Sequence, residues 1–509
     1  MPLTQGLRHI APAAALLACW CIFALPGLGA SWRWMPPEAL VIPFLIAIPM
    51  RGPAGFPPAL AALFLTGLLV LKLADMATMA AYGRSFNILA DRELPGAAAN
   101  LLAGTLGLPR RLIELLFIAV PLAVFILLRW LLGHLQSLLQ GLPHRRAVPL
   151  ALIAAALAIL PGNYRALLAR AQDTAQFAAT LSQFDRDLAQ PAPRHADLSA
   201  LQGADIEIIF VESYGRASFE VPLYAAEHTP LRRAAEASLR AAGLSSLSGW
   251  LAAPVAGGQS WLAHATFAAG VPVPDQLRYR RLLASARPTL FQIARDAGYH
   301  TAAFMPAITM DWPEGDRLGF DTIIAADGFS YRGPAFNWVT MPDQFTLQAV
   351  ERLSAGLPHP RLSQIVLISS HAPFTPIPPI LDPGAVGDGT VFQRFAASGP
   401  APDELWRDRE RVRSAYGTAL AYSLRVALAY GQVRAGQGAL VIILGDHPPA
   451  GFISGIGSPD VPIHLIGSPE RLAPFHSLSF TPGLDPATPS WPMETFRDRF
   501  LAAASQRQD

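Results

Sequence analysis

The chain carries the apolar run ALVIIL at residues 439–444, and Asp446 and His447 follow it after a single glycine. A run this uniformly apolar is typical of a strand buried on both faces of a sheet. The same pattern occurs earlier, where IEIIFV at 206–211 is followed by Glu212. Open α/β sheets keep their active sites at the carboxyl ends of their strands. Strands that end in Glu and in Asp-His therefore predict ligands for one divalent cation; for each strand alone, a solvated loop carboxylate or histidine is the alternative.

The composition indicates a membrane part joined to a soluble part. The chain has 509 residues, of which 52% are hydrophobic and only 15% charged. These values are too apolar for a soluble enzyme and too polar for a pure transporter. The net charge of +2 gives no sign of a nucleic-acid partner. Both cysteines, Cys19 and Cys21, lie in the first apolar segment, which excludes cysteine chemistry from the rest of the chain.

Apolar segments predict about five membrane spans in the amino-terminal third, at 11–30, 36–50, 55–79, 112–132 and 147–161. A span needs about 20 residues, so 36–50 and 147–161 must extend into their flanks. The first segment is either a retained helix, which the later spans favour, or a cleaved signal peptide. We expect a transmembrane domain over 1–162, a juxtamembrane helix and linker over 163–203, and a catalytic domain over 204–505.

With either form of the first segment, the carboxyl-terminal domain lies across the membrane from the cytoplasm. We expect a multi-pass inner-membrane protein whose catalytic domain faces the periplasm or the cell exterior. Lys72 and Asp75 lie on one face of the third span. They form either an internal ion pair or a contact with a substrate headgroup. The helical stretch after Gly162 lies either on the membrane surface or against the catalytic domain.

From residue 204 onward, short apolar strands alternate with helices. Strands are predicted at 206–211, 301–304, 365–369, 439–444 and 462–466, and helices at 228–241, 288–297, 343–355 and 410–434. This alternation predicts one α/β domain with a mainly parallel central sheet.

Two further segments bring chemistry to the same edge of the sheet. Ser260 follows two glycines and Gln259, and a helix-competent run follows it. That order places a hydroxyl near a helix amino terminus, where backbone N–H groups bind phosphoryl oxygens; a helix-capping serine in a plain loop is the alternative. His371 stands at another strand end. Ser213 and Thr266 are the competing candidates for the nucleophile.

Taken in order, these motifs resemble the sulfatase-like branch of the alkaline phosphatase superfamily. The resemblance rests on Glu212-Ser-Tyr-Gly, Gly-Gly-Gln-Ser260, Gly298-Tyr, Gly319-Phe-Asp321, Ser-Ser-His371 and Asp446-His447. It is strongest to the membrane-anchored members, namely lipoteichoic acid synthases and phosphoglycerol and phosphoethanolamine transferases. It covers about 204–500 and implies an alkaline-phosphatase-like α/β fold.

The resemblance also implies a role for each residue. Glu212, Asp446 and His447 match the metal ligands, and Ser260 matches a nucleophile that also contacts the metal, although the family often has Thr there. His371 matches a histidine that contacts the substrate phosphate or the leaving oxygen. We expect His264 and Trp261 to line the substrate site. The implied cofactor is one divalent metal ion, Mn, Mg or Zn.

The leading functional hypothesis is transfer of a phosphoalcohol headgroup from a phospholipid in the bilayer to a glycan or lipid acceptor through a phospho-Ser intermediate. Sulfatases need a formylglycine made from Cys or Ser in a Cys/Ser-x-Pro-x-Arg motif, and Trp-Leu-Ala-His follows Ser260 instead. A membrane-anchored phosphodiesterase or phosphatase is the alternative, and the residues do not separate the two. A catalytically dead membrane scaffold is disfavoured because the four predicted metal ligands are present.

Overall fold

The computed structural model describes residues 2–26, 56–82, 84–106, 108–140, 163–190, 192–193 and 195–505, together with single positions between 36 and 46. It divides into two compact units, Met1–Ser182 and Gln183–Asp509. The division falls inside the helix Asn163–Ala189, whose extent is close to that of the predicted juxtamembrane helix. The predicted domain boundaries at 162 and 203 stay predictions.

The first unit is helical. Its helices are Pro2–Ala24, Phe56–Tyr82, Leu94–Leu106 and Arg110–Gln140, followed by the start of Asn163–Ala189. Within the described residues, two helical segments are long and apolar enough to cross a membrane, Pro57–Tyr82 and Arg110–Gln140, and Ile10–Ala24 is a shorter apolar helix. The predicted span 147–161 lies outside the described residues, as does most of 36–50. The number of five spans therefore stays a prediction. The helix Leu94–Leu106 was not predicted from the sequence.

The helix Arg110–Gln140 exposes much of its apolar surface. Leu115, Ile118 and Ile126 are 59%, 69% and 58% exposed. Contiguous apolar surface of this kind marks an interaction or membrane site, because water solvates it poorly.

The two charged residues predicted in the third span are both buried and both bonded. Lys72 Nζ donates to the carbonyl oxygens of Phe23 (2.9 Å) and Leu25 (2.7 Å), at the end of the first helix. Both carbonyls lie at the carboxyl end of that helix, where the negative end of the helix dipole makes a cation favourable. Asp75 accepts a hydrogen bond from Arg170 at 2.7 Å. These contacts favour a structural role for both residues.

The second unit is built on one mixed sheet. Its strands are β1 (Ile206–Val211), β2 (Ser245–Ala252), β3 (His300–Met305), β4 (Thr322–Ala325), β5 (Arg361–Leu367), β6 (Leu440–Gly445), β7 (Asp460–Gly467), β8 (Thr481–Pro482) and β9 (Trp491–Pro492). The order is β4-β3-β5-β1-β6-β7-β2-β8, and β9 pairs with β2. The first five strands in that order are parallel, and β7 is antiparallel to both β6 and β2. Because β7 is antiparallel to both of its neighbours, β2 runs in the same direction as β6. The carboxyl end of β2 therefore lies at the same edge of the sheet as the carboxyl end of β6.

Helices surround this sheet. They are Ala217–Glu220, Pro222–Ala241, Ser260–Ala269, Gln276–Ala284, Leu290–Asp296, Glu314–Leu318, Asp343–Ser354, Pro383–Val386, Pro402–Leu405, Arg409–Gly436, Gly451–Ser454, Pro469–Leu472 and Thr495–Ala504. Short 3₁₀ turns occur at Ser199–Leu201, Ala326–Phe329, Thr390–Phe395 and Ala473–Leu478.

Both faces of the sheet are covered by helices. Successive side chains of a strand point to opposite faces. Phe210 of β1 packs on Phe267 of the helix Ser260–Ala269, with ring centroids 5.5 Å apart. On the other face, Gly431 of the helix Arg409–Gly436 lies so close to Ile443 that a Cβ there would be 3.2 Å from its Cδ1 atom. Buried strands between two layers of helices explain the uniformly apolar runs of β1 and β6.

The predicted elements agree with the structure except at one strand, at the helix predicted at 228–241, which begins at Pro222, and at several omissions. The strand predicted at 365–369 occupies Arg361–Leu367, because polar Ser363 and Gln364 belong to it and are buried. Strand β2 was not predicted either, because its serines and glycine conceal the strand pattern. It is β2 that leads the chain to Ser260.

Candidate active site

Strand register brings the two predicted carboxylates together. In the parallel pair of β1 and β6, Val211 lies opposite Gly445. The next residues of the two strands, Glu212 and Asp446, therefore leave the sheet side by side. The Glu212 N–H still donates to Leu367 of β5 at 3.3 Å, so its backbone stays tied to the sheet.

Glu212, Asp446 and His447 form one buried cluster. One ligand atom from each lies within 4.8 Å of the others. His447 Nε2 is 3.5 Å from Glu212 Oε1 and 3.6 Å from Asp446 Oδ2. The proximity predicted for these three residues is present, whereas their binding of a metal stays a prediction.

Ser260 completes the cluster as the first residue of the helix Ser260–Ala269. Its Oγ atom lies 3.2 Å from Glu212 Oε2 and 3.2 Å from His447 Nε2. The positive end of the helix dipole lies at this hydroxyl and favours a negatively charged group beside it. The hydroxyl is half-buried, so a substrate can reach it from the edge of the sheet.

The glycine pair before Ser260 has a specific conformational role. Gly257 and Gly258 have φ angles of 72° and 144°, a range that residues other than glycine rarely adopt. The Gly257 N–H donates to the Pro448 carbonyl at 2.9 Å, and His447 Nδ1 donates to that same oxygen at 3.0 Å. One carbonyl therefore holds both the loop that carries Ser260 and the ring that faces it.

The turn after Glu212 holds the carboxylates in place. Asp446 Oδ1 accepts hydrogen bonds from the N–H groups of Ser213 (2.8 Å) and His447 (2.6 Å). Ser213 Oγ donates to Glu212 Oε1 at 2.8 Å, which engages that hydroxyl with a carboxylate. Tyr416 donates to the Ser213 carbonyl at 2.8 Å. Ser213 therefore orients the cluster and is a weaker candidate for the nucleophile than Ser260.

The electrostatics of this cluster reflect two carboxylates buried together. Burial, followed by the Glu212 charge, raises the pKa of Asp446 to about 7. Burial also raises the pKa of Glu212, but His447 and then His371 oppose it, and the net pKa lies below its ordinary value. For His447, burial lowers the pKa, and the charges of Asp446 and Glu212 outweigh it, so the net pKa is raised. Two adjacent buried carboxylates cannot both ionise cheaply without a positive partner.

The donor set fits a divalent cation. Because a carbonyl oxygen only accepts, the His447 Nδ1 atom that faces Pro448 carries the proton. Nε2 is then the ring nitrogen that faces Ser260 and the carboxylates, and a hydrogen bond of this kind at Nδ1 orients a histidine whose other nitrogen binds a metal. Two carboxylates, an imidazole and a hydroxyl suit Zn, Mn or Mg. These four residues are the ones that would hold the ion.

His371 stands on a loop that is tied to the same cluster. Ser370, the preceding residue, donates its hydroxyl to the Glu212 carbonyl at 2.6 Å. The exposed His371 ring donates from Nδ1 to the Ala372 carbonyl at 2.7 Å, so Nε2 is the ring nitrogen that remains outside this hydrogen bond. The structure therefore places His371 on an exposed loop that Ser370 ties to Glu212, and its contact with substrate stays a prediction.

Asp343 is a functional candidate that the sequence analysis missed. It is fully buried, and its Oδ1 atom accepts from the N–H groups of Ile368 (2.8 Å) and Ser369 (2.9 Å), at the start of the His371 loop. Its Oδ2 atom accepts from Ser423 at 2.6 Å. Burial raises the pKa of Asp343 although these hydrogen bonds oppose it. An isolated Asp at a helix start gives no sequence signal for a network of this kind.

The remaining candidates near Ser260 differ in character. His264 lies one turn further on, packs against Phe210 with ring centroids 4.1 Å apart, and has an Nε2 atom without a hydrogen-bond partner among the described residues. Burial lowers its pKa to about 3, so its ring is neutral. Trp261 is 43% exposed, and its indole N–H donates to Gln276 at 2.9 Å. Thr266 is buried and bonded within its helix, which removes it as a nucleophile.

A comparison with protein families supplies the identification. Residues 263–450 match the family model described as Sulfatase. The chain carries a sulfatase-like domain. The match includes His371, Asp446 and His447, whereas Glu212 and Ser260 precede it and join the site through the geometry above. The domain has an α/β fold with a mostly parallel mixed sheet, and its similarity to the Sulfatase family is that of an enzyme domain.

Solved structures similar to the chain include the following three. The lipoteichoic acid synthase LtaP of Listeria monocytogenes is 13% identical with a TM-score of 0.37, and the match covers 52% of this chain and 65% of that one. The periplasmic domain of EptC from Escherichia coli, in complex with Zn, is 14% identical with a TM-score of 0.37, covering 60% and 82%. The phosphoglycerol transferase GacH of Streptococcus pyogenes, in complex with sn-glycerol-1-phosphate, is 13% identical with a TM-score of 0.36, covering 57% and 74%.

These likenesses do not assign a reaction. The matched region spans slightly less than two thirds of the LtaP chain. A comparison with curated proteins finds no match. The specific reaction must therefore be argued from the site.

Proposed function

We propose that the protein is a membrane-bound, metal-dependent phosphotransferase that moves a phosphoalcohol headgroup, phosphoglycerol or phosphoethanolamine, from a phospholipid to an acceptor hydroxyl. The observation that carries this proposal is the position of the Ser260 hydroxyl, 3.2 Å from both Glu212 and His447 at the start of a helix. A hydroxyl in this setting is an activated nucleophile for a phosphoryl group.

Glu212, Asp446, His447 and Ser260 are the proposed ligands of one divalent cation. When bound, that cation lowers the pKa of the Ser260 hydroxyl and offsets negative charge on the phosphoryl oxygens. Ser213 and the backbone of His447 hold the carboxylates in their observed orientation through the bonds described above.

The chain's own residues then divide the reaction into two steps. In the first, the Ser260 hydroxyl gives up its proton to solvent, Ser260 Oγ forms a bond to phosphorus, the bond from phosphorus to the diacylglycerol oxygen breaks, and that oxygen takes up a proton from solvent. The phosphoalcohol remains on Ser260. In the second, an acceptor hydroxyl forms the new bond to phosphorus, and the Ser260 hydroxyl is restored. The helix amino terminus at Ser260 favours the phosphoryl oxygens in both steps.

A lipid donor is supported by the amino-terminal unit. Its helices Phe56–Tyr82 and Arg110–Gln140 are apolar and long enough to span a bilayer. We infer a multi-pass inner-membrane location with the catalytic domain outside the cytoplasm, because phospholipid headgroups are then reached from the membrane surface. A carboxyl-terminal reporter fusion that is active only in the cytoplasm would overturn this topology and the lipid-donor argument.

The test uses the purified full-length protein in detergent or lipid nanodiscs. It is incubated with headgroup-labelled phosphatidylglycerol or phosphatidylethanolamine in the presence of Mn²⁺, Mg²⁺ or Zn²⁺. The expected result is release of diacylglycerol and label covalently bound to Ser260, located by peptide mass spectrometry. Release of the free phosphoalcohol, with the same intermediate but water as the acceptor, identifies the hydrolase alternative. Neither diacylglycerol nor labelled protein with any of the three ions overturns the proposal.

A further inference from the structure

Trp338 is an exposed aromatic residue that its own turn holds in a fixed position. Its side chain is 62% exposed, while Phe336 and Val339 beside it are 2% and 5% exposed. Phe336 and Val339 pair through two backbone hydrogen bonds of 2.7 and 3.1 Å, and Asn337 between them has a φ angle of 59°. The turn therefore anchors its two ends in the core and presents the indole to solvent.

The same turn is bonded to the loop that carries His371. The Asn337 side-chain amide donates to the Thr375 carbonyl at 2.6 Å. Further along, the Asp343 N–H donates to Ser369 Oγ at 2.9 Å, in addition to the two hydrogen bonds that the Asp343 carboxylate accepts. Hydrogen bonds on both sides of Trp338 thus join the two segments.

Trp338 and His371 face each other across this junction. Their ring centroids are 6.4 Å apart with an interplanar angle of 33°. Because His371 Nδ1 bonds to the Ala372 carbonyl, Nε2 is the ring nitrogen of His371 that can bind a ligand. The pair offers a broad apolar surface next to one strong hydrogen-bond acceptor. Ser370 links it to Glu212, and thus to the cluster around Ser260.

This combination matches a sugar ring. One face of a pyranose consists of C–H groups, which pack on an indole, while its hydroxyls lie at the edge, within reach of a nearby acceptor. An acyl chain would use the indole but not the histidine. We propose that Trp338 and His371 form the acceptor subsite of the enzyme and that the acceptor is a glycan hydroxyl.

The proposal rests on the function proposed above and assigns a role in its second step. The acceptor hydroxyl oxygen forms the bond to phosphorus, the bond from phosphorus to Ser260 Oγ breaks, and the hydroxyl proton passes to His371 Nε2. The Ser260 oxygen recovers a proton from solvent, and His371 returns its proton to solvent. Trp338 takes no part in bond making. It positions the sugar ring so that one hydroxyl meets His371 Nε2.

The closing experiment measures the two half-reactions separately. Formation of the labelled Ser260 intermediate from phospholipid reports the first, and its decay with a neutral pentasaccharide (maltopentaose, cellopentaose or laminaripentaose) reports the second. Trp338→Ala is expected to keep the rate of the first half-reaction within about twofold of the wild-type rate. It should reduce kcat/KM for the oligosaccharide in the second half-reaction by about tenfold or more, mainly through a higher KM. Trp338→Phe, which keeps an aromatic face, should recover most of this loss.

Trp406→Ala is the matched control. Trp406 is 44% exposed, but its ring stacks on Phe374 and its indole N–H donates to Pro373, so its surface is already used within the protein. This variant should change the second half-reaction less than about twofold. If Trp406→Ala and Trp338→Ala slow the second half-reaction equally, the effect comes from a loosened loop around His371. That result would overturn the proposed subsite.

Binding of the pentasaccharides to the Ser260→Ala protein, measured by calorimetry, makes the inference independent of turnover. Binding that weakens by about tenfold in Ser260→Ala/Trp338→Ala supports the subsite even where no lipid donor is turned over. Absence of binding by all three sugars overturns it. A Trp338→Ala defect confined to the first half-reaction also overturns it and makes Trp338 a contact of the lipid donor.

Discussion

Val211 and Gly445 lie opposite each other in the parallel ladder of β1 and β6. This single register fixes the site, because a shift of one residue would turn Glu212 or Asp446 to the opposite face of the sheet. Glu212 leaves β1 on the face that Phe210 shares with the helix Ser260–Ala269. The carboxylates and the Ser260 hydroxyl therefore meet on one side of one edge.

Ser260→Ala should abolish turnover while the fold remains intact, because the change removes one hydroxyl from a half-buried position and no core volume. The loss should exceed the ~10²–10⁴-fold that removal of an acid or base helper causes. Ser260→Thr should keep part of the activity. Ser213→Ala is the matched control, with a loss of about 10–100-fold at most, because Ser213 only orients Glu212. If a phospho-enzyme still forms in Ser260→Ala, Ser260 is not the nucleophile and Ser213 becomes the candidate.

Asp446→Asn should weaken binding of Mn²⁺ or Zn²⁺ by at least about 100-fold, because it removes one of two buried carboxylate ligands. Calorimetry of the metal-stripped full-length protein measures this, with circular dichroism as the check on folding. Glu220→Gln serves as control, since Glu220 is exposed and pairs with Arg216. Unchanged affinity in Asp446→Asn would remove Asp446 from the ligand set.

Asp343→Ala should lower turnover by about 10–100-fold without lowering the metal content. The change leaves the N–H groups of Ile368 and Ser369 without their carboxylate, so the His371 loop shifts, and displacements near 1 Å have effects of this size. Asp343→Asn should recover much of the loss, because its amide oxygen still accepts both N–H groups. If the alanine variant loses metal and activity in proportion, Asp343 supports the ligands instead of the loop.

Gly445→Ala should destabilise the second unit by about 1–3 kcal/mol or more, because an added Cβ would lie 1.9 Å from the Tyr214 carbonyl oxygen. Backbone would have to move at the strand end that presents Asp446, so metal affinity should fall as well. At Gly451 an added Cβ meets nothing within 4 Å, and Gly451→Ala should change stability by no more than about 0.5 kcal/mol. Urea unfolding followed by tryptophan fluorescence compares the two.

Stability should decrease in acid in part through His464. This buried ring bonds to Tyr214 (3.1 Å) and Ser248 (2.7 Å), and burial, followed by the Arg232 charge, lowers its pKa from 6.5 to about 3. The unfolded chain therefore takes up the proton first. The contribution of the neutral His464 ring to the free energy of unfolding is complete above about pH 6.5. It decreases as the pH falls toward 3, by ~1.4 kcal/mol per pH unit at most.

Replacing this histidine tests the contribution directly. His464→Gln should reduce the slope of the free energy of unfolding against pH between pH 6 and pH 4. The reduction should correspond to about one proton taken up on unfolding, and urea midpoints compared across that range measure it. His476→Gln, at an exposed position, is the control variant. An equal slope in His464→Gln and the wild-type protein would contradict the assignment.

Much of the fold and most of the proposed ligands could be predicted from local sequence patterns. Strands β1 and β6 are apolar throughout because helices cover both faces of the sheet, and that uniformity is visible in six consecutive residues. The chemistry of Glu212, Asp446 and His447 follows from residue type and from their place after those strands. The glycines before Ser260 were also visible, since positive φ angles select glycine.

Only the tertiary structure decided how these pieces meet. Nothing in the composition of β2 marks it as a strand, yet its direction brings Ser260 to the edge where β1 and β6 end. The Asp343 network and the Trp338 turn depend on hydrogen bonds such as Ser423 to Asp343 and Asn337 to Thr375, between segments distant in the chain. Sequence periodicity reports which face of an element is buried. It does not predict which distant residue a polar side chain will hydrogen-bond, because the two residues become neighbours only when their elements pack together.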